Sequence, residues 1–235
     1  MNAIILAAGL GSRLEELTVI TPKPLLRIKD TTIIETQIRY LKERGIDDIY
    51  IVTGYQSHKF QYLHEKHAVK LIYNPDYALT NNLYSLASAS GFLEDTYILE
   101  GDVFMNRNFI PKDTPFYSTY FSGLKENWRN EWVLDFDRNL YLRKIILPRE
   151  HNDKLDDKKR YIMSGVSFWK KDDSIKIYEY IHQFIKYNSV KQMYWDYLIV
   201  HFLNKFQIQI STIAENDWFE IDNKYDLMKL QEYFY

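Results

Sequence analysis

Two glycines and two basic residues near the start of the chain have a spacing that could bind phosphate. Gly9 and Gly11 follow the apolar run 3–8, and Arg13 lies two residues further on. Glycine lets the backbone take positive φ and approach a bound group, and successive N–H groups can then converge on an anion. Lys23 stands between two prolines that stiffen its segment. The pattern predicts a polyphosphate cradle, although a plain strand and turn would explain the glycines equally well.

Two aspartates stand just after apolar, strand-like runs. They are Asp102 in Leu99-Glu-Gly-Asp102 and Asp222 in Phe219-Glu-Ile-Asp222. Mg²⁺ prefers hard oxygen ligands, commonly one or two carboxylates with substrate phosphates and water. The two aspartates are therefore candidate metal ligands. By position alone, each could also be a turn residue, and Asp222 could cap the last helix.

Aromatic residues stand beside carboxylates or small residues in three clusters of the later half. The clusters are Asn130-Glu131-Trp132, Ser164-Gly-Val-Ser-Phe-Trp169 and Tyr194-Trp195-Asp196. Aromatic faces near a carboxylate suit a quaternary ammonium, and each ring contributes about 0.5–2 kcal/mol depending on desolvation. Any single tryptophan is more often a core residue, so the clusters are a hypothesis for a cation pocket.

Other kinds of active site do not fit the sequence. No G-K-[ST] follows the glycines, and Leu14 stands where a dinucleotide fingerprint has its third glycine. We find no Ser–His–Asp or Cys–His pattern. His58, His64 and His67 cluster on a polar segment predicted to be a surface helix, without metal-ligand spacing. A phosphate nucleophile needs no general base, because it is already ionised near pH 7.

The composition is that of an ordinary globular protein. The 235 residues are 46% hydrophobic and 26% charged, with a net charge of −2 and no cysteine. This charge argues against a broad nucleic-acid surface. We see no signal peptide and no uninterrupted apolar run of 18 residues. We therefore expect a cytoplasmic protein with no membrane span and no nucleic-acid partner.

The elements that must position these residues alternate along the first hundred residues. The predicted strands are 3–8, 48–53, 69–73 and 96–100, and the predicted helices are 33–43, 57–67 and 82–92. Such alternation implies right-handed βαβ units and a mostly parallel sheet. Ligands of these sheets bind beyond the carboxyl ends of the strands, where strand order reverses. The glycine loop and Asp102 both fall at such ends.

The pattern changes after Asp102. Strands are predicted at 117–121, 131–136, 140–147 and 161–169 with no helix between them, followed by helices 172–187 and 194–204, a strand at 207–212 and a helix from Asn223. The polar run 149–160 is predicted to be a mobile loop. The predicted fold is therefore α/β, with a Rossmann-like, mixed and mostly parallel sheet flanked by helices and a small antiparallel extension. We expect one domain over 1–235.

The first motif resembles a family signature. Leu6-Ala-Ala-Gly-Leu-Gly-Ser-Arg13, followed by Pro22-Lys23-Pro24, resembles the nucleotidyltransferase pattern L-A-A-G-x-G-x-R…P-K. These enzymes join a nucleoside triphosphate to a phosphorylated small molecule and release pyrophosphate. The resemblance implies the fold of the nucleotide-diphospho-sugar transferases, with Arg13 and Lys23 as catalytic residues that stabilise phosphate charge.

The resemblance also implies Mg²⁺ as the cofactor. The metal-binding aspartates of the family lie in a D-x-D-like motif after the fourth strand and in an E-I-D-like motif near the C-terminus. These positions correspond to Asp102 and Asp222. The chain departs in one place, since Glu100-Gly101-Asp102 stands where Asp-Ala-Asp is common.

Further motifs narrow the resemblance to the bacterial CTP:phosphocholine cytidylyltransferases of the choline-incorporation (Lic) pathway. They are Asn2-Ala-Ile-Ile-Leu-Ala-Ala-Gly-Leu-Gly-Ser-Arg13, Val52-Thr-Gly-Tyr55, Asn82-Leu-Tyr-Ser-Leu86, Ser118-Thr-Tyr-Phe121, the three aromatic clusters and Glu220-Ile-Asp222. This implies Mg²⁺-dependent transfer of CMP from CTP to phosphocholine, giving CDP-choline and pyrophosphate. The partners are then these two small molecules, and the product would serve to decorate a cell-surface glycan.

The resemblance assigns residues to each substrate, with 1–110 as the nucleotide-binding half and 111–235 as the acceptor-binding half. The implied nucleotide-binding residues are Leu6, Ala7, Ala8, Gly9, Gly11, Ser12, Tyr55, Asn81, Asn82 and Ser85. The implied acceptor-binding residues are Trp132, Trp169, Tyr194, Trp195 and Asp196.

Two alternatives stay open. The same chemistry could act on phosphoethanolamine, 2-aminoethylphosphonate or a sugar 1-phosphate, although primary amines favour acidic or amide partners over rings. The chain could also be a catalytically silent nucleotide-binding regulator. A silent copy has no physical need for Arg13, Lys23, Asp102 and Asp222 together, which argues against that alternative.

Overall fold

A computed structural model describes residues 1–14, 16–126, 128–150 and 159–234. Most of the polar run 149–160, predicted to be a mobile loop, lies outside these residues. Among the helices of the described residues, none has the length and apolar character needed to cross a membrane.

Strands and helices alternate first and then separate, as the sequence predicts. Within the described residues the strands are β1 Asn2–Ala7, β2 Arg27–Ile28, β3 Thr31–Thr32, β4 Ile49–Thr53, β5 Lys70–Tyr73, β6 Thr96–Glu100, β7 Val103–Met105, β8 Ser118–Lys125, β9 Val133–Phe136, β10 Leu142–Ile146, β11 Arg160–Trp169, β12 Ile208–Ile213 and β13 Trp218–Glu220. The α-helices there are α1 Glu16–Ile20, α2 Ile33–Lys42, α3 Gln61–His67, α4 Asn82–Ala89, α5 Lys171–Phe184, α6 Asp196–Phe202 and α7 Lys224–Phe234.

A mixed, mostly parallel sheet with flanking helices forms the body of the molecule, which confirms the predicted fold class. Its order is β10-β9-β11-β6-β1-β4-β5, and β8 and β12 extend it from β11. Strands β6, β1, β4 and β5 are parallel neighbours. The chain runs from β1 to β4 and β5 on one side, then returns to β6 on the other side of β1. Strand order thus reverses beside β1, where a ligand crevice is expected.

The central strand β1 is buried on both faces. Ala3, Ile5 and Ala7 contact one core cluster, under α2 and α3, while Ile4 and Leu6 contact the other, under α4, α5 and α6. A strand covered by helices on both sides reads as a continuous apolar run, because neither face meets water. The sequence of β1 therefore predicts both its burial and its central place.

Strand β11 joins the parallel strands to the antiparallel part. Val166–Trp169 pair antiparallel with β6, and the same strand pairs with β8 on its other edge. The register shifts between Met163 and Ser167, and Gly165 has φ +73° within the shifted stretch. A bulge of this kind bends the strand and opens space beside it. The extension is not purely antiparallel, since β12 pairs parallel to β8.

Four short strands were not predicted from the sequence: β2, β3, β7 and β13. Strands β7 and β13 pair antiparallel, with Glu220 opposite Val103. Each has three residues, too few for a recognisable period. Another difference is that α6 begins at Asp196 and ends at Phe202, whereas 194–204 was predicted to be helical.

Candidate active site

The glycine loop leaves the carboxyl end of β1. Gly11 has φ +63°, and a Cβ atom there would lie 2.9 Å from Thr18 Cγ2. Its position therefore requires glycine for both backbone and space. At Gly9 a Cβ would meet no protein atom within 4 Å, so this backbone faces open space. The loop combines one glycine that permits the turn with one that leaves room for a close ligand.

Lys23 lies at the centre of a charged network. Its Nζ donates to Asp102 Oδ2 at 2.7 Å and to Asp222 Oδ1 at 2.9 Å, and Arg13 donates to Asp222 Oδ2 at 2.7 Å. Burial alone would lower the pKa of Lys23, but the two carboxylates outweigh it and raise that pKa. Burial would likewise raise the pKa of Asp222, but Lys23 and Arg13 lower it. The network thus favours the charged forms of Lys23 and Asp222.

The short strands β7 and β13 explain how the two aspartates meet. Asp102 immediately precedes β7, Asp222 follows β13 by two residues, and the Ile221 N–H donates to the Asp102 carbonyl at 3.4 Å. Two carboxylates facing one Nζ give the hard oxygen donors that Mg²⁺ prefers. Among the described residues no group of three or more His, Cys, Asp or Glu side chains forms a metal site. The pair therefore fits an ion that takes its remaining ligands from substrate and water.

A cavity of about 230 Å³ opens beside this network. Fourteen of the predicted site residues line it: Leu6, Ala7, Ala8, Gly9, Gly11, Ser12, Arg13, Lys23, Asn81, Asn82, Ser85, Asp102, Tyr194 and Asp222. Five further lining residues were missed: Pro24, Tyr77, Thr80, Glu100 and Gly101. Pro24 lies in the Pro22-Lys23-Pro24 motif, and Glu100 and Gly101 lie in Glu100-Gly101-Asp102, so the motifs could have indicated these three. No local signal distinguishes Tyr77 and Thr80. We call Gly9, Gly11, Arg13, Lys23, Asp102 and Asp222 the phosphate end of this cavity.

The predicted nucleotide-binding residues outside the glycine loop lie in different surroundings. Asn81 caps α4, its side chain accepting from the Asn82 N–H at 2.7 Å. Ser85 is buried and accepts from Asn74 Nδ2 at 3.2 Å. Tyr55 is outside the set of described residues that line the cavity, and its N–H donates to the Ala8 carbonyl at 3.1 Å. Tyr55 thus supports the start of the glycine loop through its backbone. Its contact with a nucleotide stays a prediction.

Aromatic residues gather next to the cavity. The Trp132 ring packs edge-on against Tyr197 at 4.7 Å and Tyr194 at 6.2 Å between ring centroids. Tyr194 is 45% exposed and lines the cavity, so it stands between the phosphate end and this aromatic group. Tyr197 was not predicted from the sequence. We call Trp132, Tyr194, Trp195, Asp196 and Tyr197 the acceptor end.

Trp169 lies deeper than the other predicted acceptor residues. It has no exposed surface, packs against Trp195 with 5.6 Å between ring centroids, and donates from its indole nitrogen to Ser167 Oγ at 2.9 Å. Direct contact between Trp169 and an acceptor stays a prediction. In this structure Trp169 is a core residue that supports Trp195.

Beside Trp195 lies a second, small cavity of about 20 Å³. Glu100 and Asp196 both line it, and Asp196 accepts from the Tyr120 hydroxyl at 2.8 Å. Burial raises the pKa of Asp196 to about 7 although the Tyr120 hydrogen bond opposes this. Burial, Asp102 and Asp196 together raise the pKa of Glu100 well above its usual value. Among the described residues, no lysine or arginine forms an ion pair with either carboxyl.

A third carboxyl with a raised pKa belongs to Glu220 of β13. Burial raises this pKa well above its usual value, and Glu131, Asp102 and Asp222 raise it further. Glu220 precedes Asp222 by two residues, and the sequence motif containing both was assigned to Asp222 alone. The carboxyls of the site thus divide into those paired with Lys23 or Arg13 and those whose pKa burial raises.

Comparisons with known proteins identify chains that are similar to this one. The family model described as MobA-like NTP transferase domain matches residues 3–130. Choline-phosphate cytidylyltransferase of Streptococcus pneumoniae is 37% identical over 232 residues, covering 99% of this chain and 97% of that protein. 2-aminoethylphosphonate cytidylyltransferase of Lancefieldella rimae is 31% identical over 229 residues, covering 96% and 90%.

A solved structure is similar over the whole chain. It is that of CTP:phosphocholine cytidylyltransferase from Streptococcus pneumoniae, with a TM-score of 0.92 and 37% identity, covering 100% of this chain and 99% of that chain. The likeness therefore includes the antiparallel part beyond residue 130 as well as the region matched by the family model.

Proposed function

The chain belongs to the nucleotidyltransferases with a MobA-like NTP transferase domain, and from that premise we propose that it transfers CMP from CTP to phosphocholine. A phosphate oxygen of phosphocholine would attack the α-phosphorus of CTP. The bond from that phosphorus to the oxygen bridging the β-phosphate would break, so that CDP-choline forms and pyrophosphate leaves. The predicted catalytic and binding residues are proposed to act in this reaction.

The observation that carries the proposal is the difference in charge between the two ends of the site. At the phosphate end, Lys23 and Arg13 lie within 2.7–2.9 Å of carboxylates. At the acceptor end, Trp132 packs against Tyr194 and Tyr197. Asp196, next to Trp195 in the smaller cavity, has no lysine or arginine partner among the described residues. A polyanionic substrate matches the phosphate end, and a substrate with a quaternary ammonium matches the acceptor end.

Positioning and charge neutralisation account for the proposed catalysis. The glycine loop would receive the triphosphate, while Lys23 and Arg13 would stabilise the negative charge that develops in transfer. No side chain needs to remove a proton from the nucleophile, because a phosphate monoester is ionised near pH 7. The side chains would hold the two phosphates in line and exclude water from between them.

Asp102 and Asp222 are the proposed ligands of Mg²⁺. When bound, the ion would neutralise phosphate charge and help to orient the two substrates. Lys23 lies between the two carboxylates and offsets their mutual repulsion. The protein side of the site is thereby preorganised before substrate arrives.

A second acceptor is favoured by one comparison. The similar protein from Lancefieldella rimae is a 2-aminoethylphosphonate cytidylyltransferase. A primary ammonium donates hydrogen bonds, so it would use carboxylates such as Asp196 more than ring faces. The exposed ring of Tyr194 and the packed Trp132 favour the methylated head group of choline. The two acceptors can be separated by direct competition.

A pyrophosphate-release assay tests the proposal. Four nucleoside triphosphates are crossed with phosphocholine, phosphoethanolamine, 2-aminoethylphosphonate and glucose 1-phosphate, each with Mg²⁺. We expect the highest kcat/KM with CTP and phosphocholine. A higher kcat/KM with either primary amine would replace the proposed acceptor, and no release from any pair would favour a silent regulator. A functioning enzyme would work in the cytoplasm, where CTP is made.

A further inference from the structure

Glu100 joins the two ends of the site. It ends the central strand β6, and its side chain lines both the large cavity and the small cavity beside Trp195. Its Oε1 accepts from Asn82 Nδ2 at 2.9 Å and from Trp195 Nε1 at 3.2 Å. One carboxyl oxygen therefore contacts the first residue of α4 and the indole that precedes α6.

Asn82 completes a closed network. Its Oδ1 accepts from the Trp195 backbone N–H at 2.8 Å while its Nδ2 donates to Glu100. Trp195 is thus held by its main chain and by its indole nitrogen. The Trp195 side chain is 2% exposed, so its indole N–H has to find its partner inside the protein. Glu100 supplies that partner.

The position of Trp195 decides the positions of its two neighbours. Tyr194 lines the large cavity, and Asp196 lines the small one. Trp195 joins Tyr194 to Asp196 in the chain, and Asn82 and Glu100 hold Trp195 in place. A shift of Trp195 would therefore move both the Tyr194 ring and the Asp196 carboxyl. The glycine loop and Lys23 are held by contacts that do not involve Trp195.

A glycine opposite Glu100 gives its side chain room. Gly165 lies in the bulge of β11 with φ +73°, and a Cβ there would come within 2.6 Å of Val103 Cγ2 and 3.3 Å of Glu100 Cβ. With that space free, the glutamate reaches two donors on different elements. Aspartate is one methylene shorter and would need both donors to move closer. This gives a physical reason for glutamate at a position where the family commonly has aspartate.

We propose that Glu100 is a positioning residue for the acceptor: through Trp195 it sets Tyr194 and Asp196, and through Asn82 it links them to the nucleotide side. This inference rests on the proposed function, because its readout is the KM for phosphocholine. Glu100 acts on the acceptor through Trp195, so its loss changes acceptor binding more than it changes CTP binding.

The test compares Glu100→Ala and Glu100→Gln in steady-state kinetics with CTP and phosphocholine varied in turn. Alanine removes the acceptor of both hydrogen bonds, so we expect the KM for phosphocholine to rise about tenfold and the KM for CTP to change less than about threefold. Glutamine keeps a carbonyl oxygen that can accept from both donors, so we expect both KM values to stay within about threefold of wild type.

Thr96→Val is the matched structural control. Thr96 lies at the opposite end of the same strand, fully buried, and its hydroxyl bonds Asn2 Oδ1 and the Glu94 N–H. This variant should lower Tm by several degrees without changing the ratio of the two KM values. If it moves that ratio as Glu100→Ala does, general destabilisation explains the effect and the inference is wrong.

Trp195→Phe provides a second route should Glu100→Ala fail to fold. Phenylalanine keeps an aromatic ring but removes the indole N–H, and we expect the same selective rise in the KM for phosphocholine. Where Glu100→Ala folds, its effect and that of Trp195→Phe should not add in the double variant, because both remove the same hydrogen bond. Full additivity, or equal rises in both KM values, would overturn the positioning role.

The wild-type enzyme separates this inference from the function on which it rests. If wild type does not use phosphocholine, the proposed function fails, and no variant is needed to see it. If wild type uses phosphocholine but Glu100→Ala leaves its KM unchanged, the function stands and the inference fails. A Glu100→Gln variant as impaired as Glu100→Ala would show that charge matters and hydrogen bonding to Trp195 does not.

Discussion

The phosphate end and the acceptor end of the site handle charge in opposite ways. At the phosphate end, each carboxylate is within 2.7–2.9 Å of Lys23 or Arg13, and the pKa of Asp222 is lowered. At the acceptor end, burial raises the pKa of Asp196 to about 7. The phosphate end therefore contains carboxylates paired with cations, and the acceptor end contains a carboxyl whose pKa is about 7.

This difference follows from what each end must receive. A triphosphate brings several negative charges, so cations held in place by carboxylates can bind it without a large rearrangement. A quaternary ammonium donates no hydrogen bond and needs ring faces with negative charge nearby. We therefore expect changes at the phosphate end to act on turnover, and changes at the acceptor end to act on the KM of one substrate.

The largest effect is expected at the two aspartates. Asp102→Asn or Asp222→Asn removes a charged oxygen ligand for Mg²⁺ and a partner of Lys23, so kcat should fall about 1,000-fold. Circular dichroism should show an unchanged fold. Activity close to wild type in either variant would show that the substituted aspartate is not a ligand of the metal.

Lys23→Met should be almost as severe. It removes the cation between Asp102 and Asp222, and kcat/KM should fall about 100- to 1,000-fold. Lys23→Arg is the control, because it keeps the charge and should retain part of the activity. Thermal unfolding should show Lys23→Met losing stability, since two carboxylates then face each other. A kcat within tenfold of wild type would contradict the assignment of Lys23 as catalytic.

Trp132→Ala should affect the acceptor and spare the nucleotide. Loss of a ring face for a quaternary ammonium corresponds to a rise of about 3- to 30-fold in the KM for phosphocholine. The KM for CTP should stay within about twofold, and Trp132→Phe should lie between wild type and alanine. Equal rises in the KM for both substrates would contradict the proposed aromatic pocket and the division of the site into two ends.

A pH dependence of a few fold is expected from Asp196. Its pKa of about 7 means that Asp196 is protonated and neutral at pH 6 and anionic at pH 8. The KM for phosphocholine should therefore fall as pH rises through 7, because the anion attracts the ammonium. Glu100 and Tyr120 also face this carboxyl, and burial raises the pKa of each well above its usual value. Asp196→Asn is the control, because it removes the titrating carboxyl and leaves any effect of ionisation of the substrate phosphate. If the pH dependence of the KM for phosphocholine is unchanged in that variant, Asp196 is not its cause.

Trp169→Phe should have the smallest kinetic effect. Trp169 is fully buried beneath Trp195, so we expect a loss of about 1–3 kcal/mol of stability and KM values within twofold of wild type. Denaturant unfolding and steady-state kinetics measure the two. A selective rise in the KM for phosphocholine would instead support the sequence-based assignment of Trp169 to the acceptor site.

The fold class was predictable because its signals are local and repeated. The strand 3–8 is apolar without interruption, and helices with apolar residues at helical spacing follow. Parallel strands joined by helices can pack in few ways, so the position of the site at the strand ends followed from general rules. The strands β7 and β13 were missed because three residues carry no period.

The candidate site was predictable where one short segment supplies several residues. The glycine loop and Lys23 form a motif whose resemblance to the nucleotidyltransferase signature predicts phosphate binding. The aromatic clusters were harder, because residue type does not reveal which ring faces a cavity. Tyr194 is 45% exposed, whereas Trp169 has no exposed surface, and both stand in equally suggestive clusters of the sequence.

The sequence by itself therefore predicted most elements of the large sheet and the residues of the glycine loop, because periodicity and the glycine motif are encoded by neighbouring residues. Tertiary structure decided which distant groups meet. Lys23 bonds Asp102 and Asp222 across 79 and 199 residues of chain, and Glu100 reaches Trp195 across 95. Those contacts depend on the pairing of β7 with β13 and on the bulge at Gly165. Both are products of packing between segments remote in sequence, which no local pattern records.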